Sequence, residues 1–262
     1  MTDTLGTAES GTDPHDHSDH DHPPTGADLV LELVRGLSIL ALVIPVLAVL
    51  LLVAILPVAP SSPLVLVLGL ALGSSHLISL VLTSLFVAKT RKQLAVNPGL
   101  LVARSAIEEA LRLAAALAVV VLWPLDAAGP LGIWLGAGAA LVWMALTTAQ
   151  TVSTRRRIAR PSEWSKEAIE TLLTQRVTVR STIVMRVLDL LGTVGFQIGA
   201  TLLLVQAPVL VIATLVLSIG SGLSTLVLQR KPPAERAASA WSYAPLGIGI
   251  LALAMGLLGL LA

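Results

Sequence analysis

The stretch LSILALVIPVLAVLLLVAIL, residues 37–56, contains no charged side chain and one hydroxyl, Ser38. At 1.5 Å rise per residue, a helix of about 20 apolar residues matches a hydrocarbon core roughly 30 Å thick. Working outward, comparable apolar runs recur at 64–88, 106–125, 131–152, 183–205, 209–228 and 241–261. Over all 262 residues, 55% are hydrophobic and 13% charged, whereas soluble domains carry about a quarter charged residues. These runs predict an all-α, polytopic transmembrane helix bundle of about seven spans. One leading helix is followed by three hairpins with basic turns. Residues 1–27 read as a separate, disordered polar tail and 28–262 as the transmembrane domain.

The distribution of charge orients the spans. The connections at 57–63, 126–130 and 206–208 contain no Lys or Arg. Nearly all of the 17 cations fall in the others: Lys89, Arg91, Lys92 and Arg104, then the group from Arg155 to Arg180, then Arg230, Lys231 and Arg236. Arg35, Arg112 and Arg186 lie near span ends that face the same side. Positive charge in short loops is retained in the cytoplasm, so the amino terminus is expected inside and the carboxyl terminus outside. Trp123 and Trp134 then fall at the outer interface, Trp241 and Tyr243 at the inner one, where amphipathic rings sit. The count of seven depends on a reversal at the short 206–208 connection. Arg outnumbers Lys thirteen to four, a bias that GC-rich coding gives, and the expected location is a bacterial cytoplasmic membrane. The acidic, His-rich amino terminus lacks the basic flank of a cleavable signal peptide.

An internal duplication is suggested by Leu82-Thr83-Ser84 running to Thr90-Arg91-Lys92. At an offset of 64 residues, Leu146-Thr147-Thr148 runs to Thr154-Arg155-Arg156. A poorer third copy leads from Leu223-Ser224-Thr225 to Arg230-Lys231. Ser105-Ala106-Ile107-Glu108 has capping-box spacing for the start of the third span. Over 161–182, Trp164, Ala168, Ile169, Leu172 and Leu173 recur at helical spacing, which predicts an amphipathic surface helix.

The tail interleaves His15, His17, His20 and His22 with Asp13, Asp16, Asp19 and Asp21. Neutral imidazole with carboxylate suits Zn, Ni, Co or Cu, and these four histidines are the candidate metal ligands. Buffering or delivery fits such a tail better than catalysis, because nothing there fixes a geometry. The chain has no Cys, which excludes disulfides and thiolate sites.

Ionisable groups at membrane depth are costly and point to function. Asp189 stands out in the fifth span, with Thr193, Gln197 and Thr201 following at four-residue steps and Arg186 spaced to pair with it. His76, in the second span, shares a face with Ser75, Ser79 and Thr83. Glu108, Glu109 and Arg112 form a group near the cytoplasmic end of the third span, with Glu108 and Arg112 spaced for an i,i+4 pair. Thr147, Gln150 and Thr151 could bond across helices. Gly69/Gly73, Gly132/Gly136 and Gly195/Gly199 are close-packing spacings that would bring the second, fourth and fifth spans together. Pro45 should kink the first span.

Several chemistries lack their parts. There is no HExxH for a zinc protease and no phosphate-cradling glycine loop with Lys. One intramembrane His cannot supply two axial haem ligands, and no nucleophile motif surrounds Ser221. No catalytic motif is found, so an enzyme is not expected. Three readings remain: a small permease or transporter component, a non-transporting scaffold or accessory subunit, and a divalent-metal handling protein. The expected partners are the lipid bilayer and a second copy or another membrane protein; nothing points to nucleic acid. The Cys-free sequence makes the orientation easy to check in bacterial cells. An Ala127→Cys variant should react with an impermeant maleimide from outside, and Ala95→Cys only after lysis; the opposite pattern would invert the assignment.

Overall fold

The structure is a computed structural model that describes residues 26–90, 98–160, 170, 179–236 and 239–261. The described residues are all-helical, with no strand among them. Seven long helices follow in order: α1 (Gly26–Ile55), α2 (Leu64–Thr90), α3 (Pro98–Leu122), α4 (Ala128–Ile158), α5 (Val179–Gln206), α6 (Val211–Gln229) and α7 (Ala244–Leu258). Single 3-10 turns at Leu56–Val58, Pro208–Leu210 and Ala240–Tyr243 join or precede them, and Pro233–Arg236 forms one helical turn. Each expected span falls on one of these helices. Six of the seven are long and apolar enough to cross a membrane. The exception, α3, has 25 residues but carries Arg104, Glu108, Glu109 and Arg112.

The helix is the natural state of such segments, because no water in a hydrocarbon phase can satisfy exposed backbone amides. Prolines mark where helices cannot continue or conveniently begin. Pro63 precedes α2, Pro208 opens the turn before α6, and Pro245 lies in the first turn of α7. Pro45 does not break α1, which is one continuous helix. Large apolar side chains point outward along several helices: Leu42, Val49 and Val53 on α1, Ile78 and Leu82 on α2, Ile212 and Val216 on α6. Apolar exposure on that scale is tolerated in lipid and not on a soluble monomer.

Glycine contacts fix the directions of neighbouring helices. Gly69 and Gly73 of α2 meet Leu135 and Ala139 of α4, so these two helices run parallel. Gly132 and Gly136 of α4 meet Leu202 and Ile198 of α5, an antiparallel pair. Gly192, Gly195 and Gly199 of α5 meet Pro245, Gly249 and Ala252 of α7, again parallel. The directions of these four helices agree with the alternation expected from sequence. Of the three glycine spacings, the first two join α2 to α4 and α4 to α5; the third faces α7, not α4. Thus α2, α4, α5 and α7 form a closely packed row, with α1 also against α4. The helices α3 and α6 pack against each other and more loosely on that row. The spans of α4 and α5 are 56% and 61% buried and form the centre of the bundle.

The end of the bundle opposite the basic connections is tied across sequence. Ser61 donates to Asp126 Oδ2 from its backbone N–H (3.0 Å) and its hydroxyl (2.8 Å), linking two connections. Trp134 is buried, and its indole N–H donates to the Ile55 carbonyl at 3.2 Å. It pins α4 to the end of α1, with its ring packed inside the bundle. At the basic end, Trp241 and Tyr243 are exposed, as interfacial rings should be. There Arg236 donates to the carbonyls of Lys231 and Gln229, closing the last turn of α6.

A β-carbon on Gly136 would stand 2.6 Å from the Ile198 Cα, whereas one on Gly247 meets nothing within 4 Å. We expect Gly136→Val to destabilise the α4–α5 contact by about 1–3 kcal/mol or more, the usual cost of overpacking, and Gly247→Ala to be neutral. Thermal unfolding of the two variants in detergent checks this; equal melting temperatures would contradict the packing.

Candidate functional site

The polar face of α3 carries Ser105, Glu109, Arg112, Ala116 and Val119 as its buried residues. Steps of four, three, four and three put them on one stripe facing the bundle. Arg104 and Glu108 flank that stripe and form an ion pair at 2.7 Å, part-exposed at 29% and 13%. Glu109 and Arg112 are each 1% exposed and form the second pair, from Arg112 Nη1 to Glu109 Oε1. The sequence expectation of a Glu108–Arg112 pair is corrected here. The register of the stripe turns Arg112 toward Glu109 and leaves Glu108 to Arg104.

Two neighbouring helices grip this segment. From α5, Gln197 Oε1 accepts from Arg112 Nη2 at 2.9 Å, and the Phe196 ring lies 4.8 Å from the guanidinium carbon, within cation–π range. From α2, His76 is fully buried, and its Nε2–H donates to the Glu108 carbonyl at 3.1 Å. A carbonyl only accepts, so this contact assigns the proton to Nε2 and leaves Nδ1 as an acceptor. Burying a guanidinium and a carboxylate in an apolar bundle is costly unless their hydrogen bonds are met. Here Glu109 and, from α5, Gln197 meet two of the guanidinium's, while His76 braces the α3 backbone beside the pair.

A part-open cavity of about 350 Å³ lies against this cluster. Arg104, Ser105, Glu108 and Arg112 of α3 line one wall and Trp143 of α4 another. Thr193, Phe196 and Gln197 of α5 add to it, and Ser218, Ser221 and Thr225 of α6 complete it. Its residues run from Gln229 and Leu101 near the basic end to Arg112 and Gln197 about halfway along their helices.

Of the residues picked from sequence, Thr193 and Gln197 line the cavity and Thr201 is buried one turn beyond. Asp189 is exposed on α5 and does not line it, while Arg186 is half-buried. The expected Arg186–Asp189 ion pair is not among those the described residues make. His76 is buried but off the cavity wall. The tail with His15, His17, His20 and His22, and the amphipathic segment around Trp164, lie outside the described residues. Among the described residues no group of three or more His, Asp or Glu is placed to hold a metal ion.

Other expectations are revised by local bonding. The hydroxyls of Thr147, Thr151, Thr83 and Thr201 donate to carbonyls one turn back on their own helices. Such back-bonding satisfies the hydroxyl without a cross-helix partner. Ser105 lies inside α3, well after Pro98, and Glu108 bonds Arg104, so the capping-box spacing marks no helix start. Glu109 was grouped with Glu108 and Arg112 from sequence, but Trp143 and Phe196 were not singled out. The signal for Glu109 was present, as four charges in one span-length helix. The two rings had none, because apolar aromatics on a membrane helix look alike until a neighbour is known.

The chain matches no protein-family model, no curated protein and no solved structure. Its chemistry has to be read from its own residues. Glu109→Met or Arg112→Met alone should destabilise the protein by about 3–5 kcal/mol, since either leaves a buried charge unpaired. The double variant Glu109→Met with Arg112→Met should recover most of that loss. A double-mutant cycle of unfolding free energies in mixed micelles decides it; strictly additive losses would argue against the pair.

Proposed function

We propose that this chain is a small permease, or a transporter component, that handles a small polar solute in the cavity between α3, α4, α5 and α6. The observation that carries the reading is Arg112, a buried guanidinium on the wall of a cavity about midway along apolar helices. Ionisable groups at such depth mark substrate and ion pathways. The parallel packing of α2 and α4, which begin at Leu64 and Ala128, supports the reading of an internal duplication at an offset of 64 residues. Substrate sites in transporters commonly lie between such repeats. In this proposal the basic end is cytoplasmic by the positive-inside rule, the membrane is a bacterial cytoplasmic one, and no bond-making chemistry is assigned.

A second reading, an accessory subunit, is favoured by Asp189. It is exposed on α5, well inside the span from Thr182 to Gln206, and has no ion-pair partner among the described residues. A carboxylate at that depth calls for a polar partner, which a neighbouring polypeptide would supply.

Counterflow in proteoliposomes loaded with a panel of small polar solutes separates the two. The permease reading expects at least one solute to equilibrate severalfold faster than in empty vesicles, and the rate to collapse in Gln197→Leu with the fold retained. If the folded protein moves none of them and copurifies with another membrane protein only while Asp189 is intact, the accessory reading replaces it.

A further inference from the structure

Two side chains on the cavity wall keep a buried polar atom with no hydrogen-bond partner among the described residues: Arg112, at Nε, and Trp143, at the indole Nε1. Both are donors, and neither group has an accepting atom. The other two such atoms are acceptors, His76 Nδ1 and Glu109 Oε2, and both belong to residues off the cavity. Unmet bonding capacity among the buried atoms is thus sorted by place, and on the wall those atoms are donors. Arg112 is 1% exposed, and a buried donor without a partner is costly. An oxygen entering from the cavity, with a side-chain shift that uncovers these donors, would remove that cost.

We infer that the cavity binds a small organic carboxylate, its oxygens accepting from Arg112 Nε and Trp143 Nε1 and its carbon part lying beside Phe196. The inference rests on the permease reading for its place in the molecule and names the class of solute. A carboxylate is favoured over a neutral carbonyl because charge-assisted bonds to guanidinium are roughly twice as strong as neutral ones. The wall carries two cations, Arg104 and Arg112, against one anion, Glu108, which is itself paired to Arg104, so it favours an anion over a cation. A volume of about 350 Å³ lies near the lower end for small-molecule sites, which fits a compact ligand.

Thermal unfolding of the detergent-solubilised full-length protein tests this with sodium acetate and sodium benzoate as probes. Sodium chloride at equal ionic strength controls for salt; acetamide and benzamide match the probes in shape without the charge. At least one carboxylate should raise the melting temperature saturably, with its amide needing at least tenfold higher concentration. Trp143→Phe keeps an aromatic ring and the Arg112–Glu109 pair but removes one donor, and should weaken the apparent affinity roughly tenfold. Trp123→Phe, in the connection at the far end, should leave affinity unchanged. Chloride and carboxylates acting alike, amides binding as well as their acids, or full affinity in Trp143→Phe would each overturn the inference. Should Trp143→Phe not fold, the acid-against-amide comparison on the native chain decides alone. Carboxylate binding without any counterflow keeps the inference and removes the permease reading. Flux of an uncharged solute without carboxylate binding does the reverse.

Discussion

The close approach of backbones at the glycines of α2, α4, α5 and α7 is the constraint on which the rest of the bundle depends. In lipid there is no hydrophobic drive to bring apolar helices together, so association relies on van der Waals contact and on small residues that permit it. A β-carbon at Gly132 would stand 2.7 Å from the Leu202 Cα and one at Gly73 2.9 Å from the Ala139 Cα, so these helices meet backbone to backbone. The row they form is dense enough that α4 and α5 are more than half buried. With α3 and α6, the row packs less closely, and the cavity lies where those two helices join it.

That division of labour also explains where the polar groups are. Hydroxyls on α2, α4, α5 and α6 are satisfied by their own helices and add little between them. Longer side chains, which cannot close on their own backbone, provide the ties between helices: Arg112 to Gln197, His76 to α3, Trp134 to α1, and Gln206 to the Gly256 carbonyl at 2.9 Å. The charges of α3 are internally paired, so this helix adds two cations and two anions and no net charge. Such a helix can be held against an apolar row at modest cost and still present donors to a cavity.

Much of this was legible in the sequence. The seven long helices among the described residues were, because six are apolar runs of span length, which have one low-energy state in lipid, and charge or proline separates each run from the next. The polar residues of α5 were legible as a stripe, since period 3.6 follows from the chain alone. Their ranking was not. Asp189, the most conspicuous by chemistry, is exposed, whereas Gln197, two turns on, bonds the buried guanidinium. A helix stripe drifts around the axis, and only its neighbours fix which turn faces inward.

By itself, the sequence determined the number and order of the long helices among the described residues and the basic character of one end. These depend on hydropathy, chain order and covalent charge, all of which are local. Tertiary structure alone decided that Arg112 pairs with Glu109 and not Glu108, that Trp134 is buried, and that Trp143 and Phe196 share a wall with Arg112. Each of those outcomes is set by the rotation of one helix about its axis relative to another. That rotation is fixed by packing between segments far apart in the chain, which local periodicity does not encode.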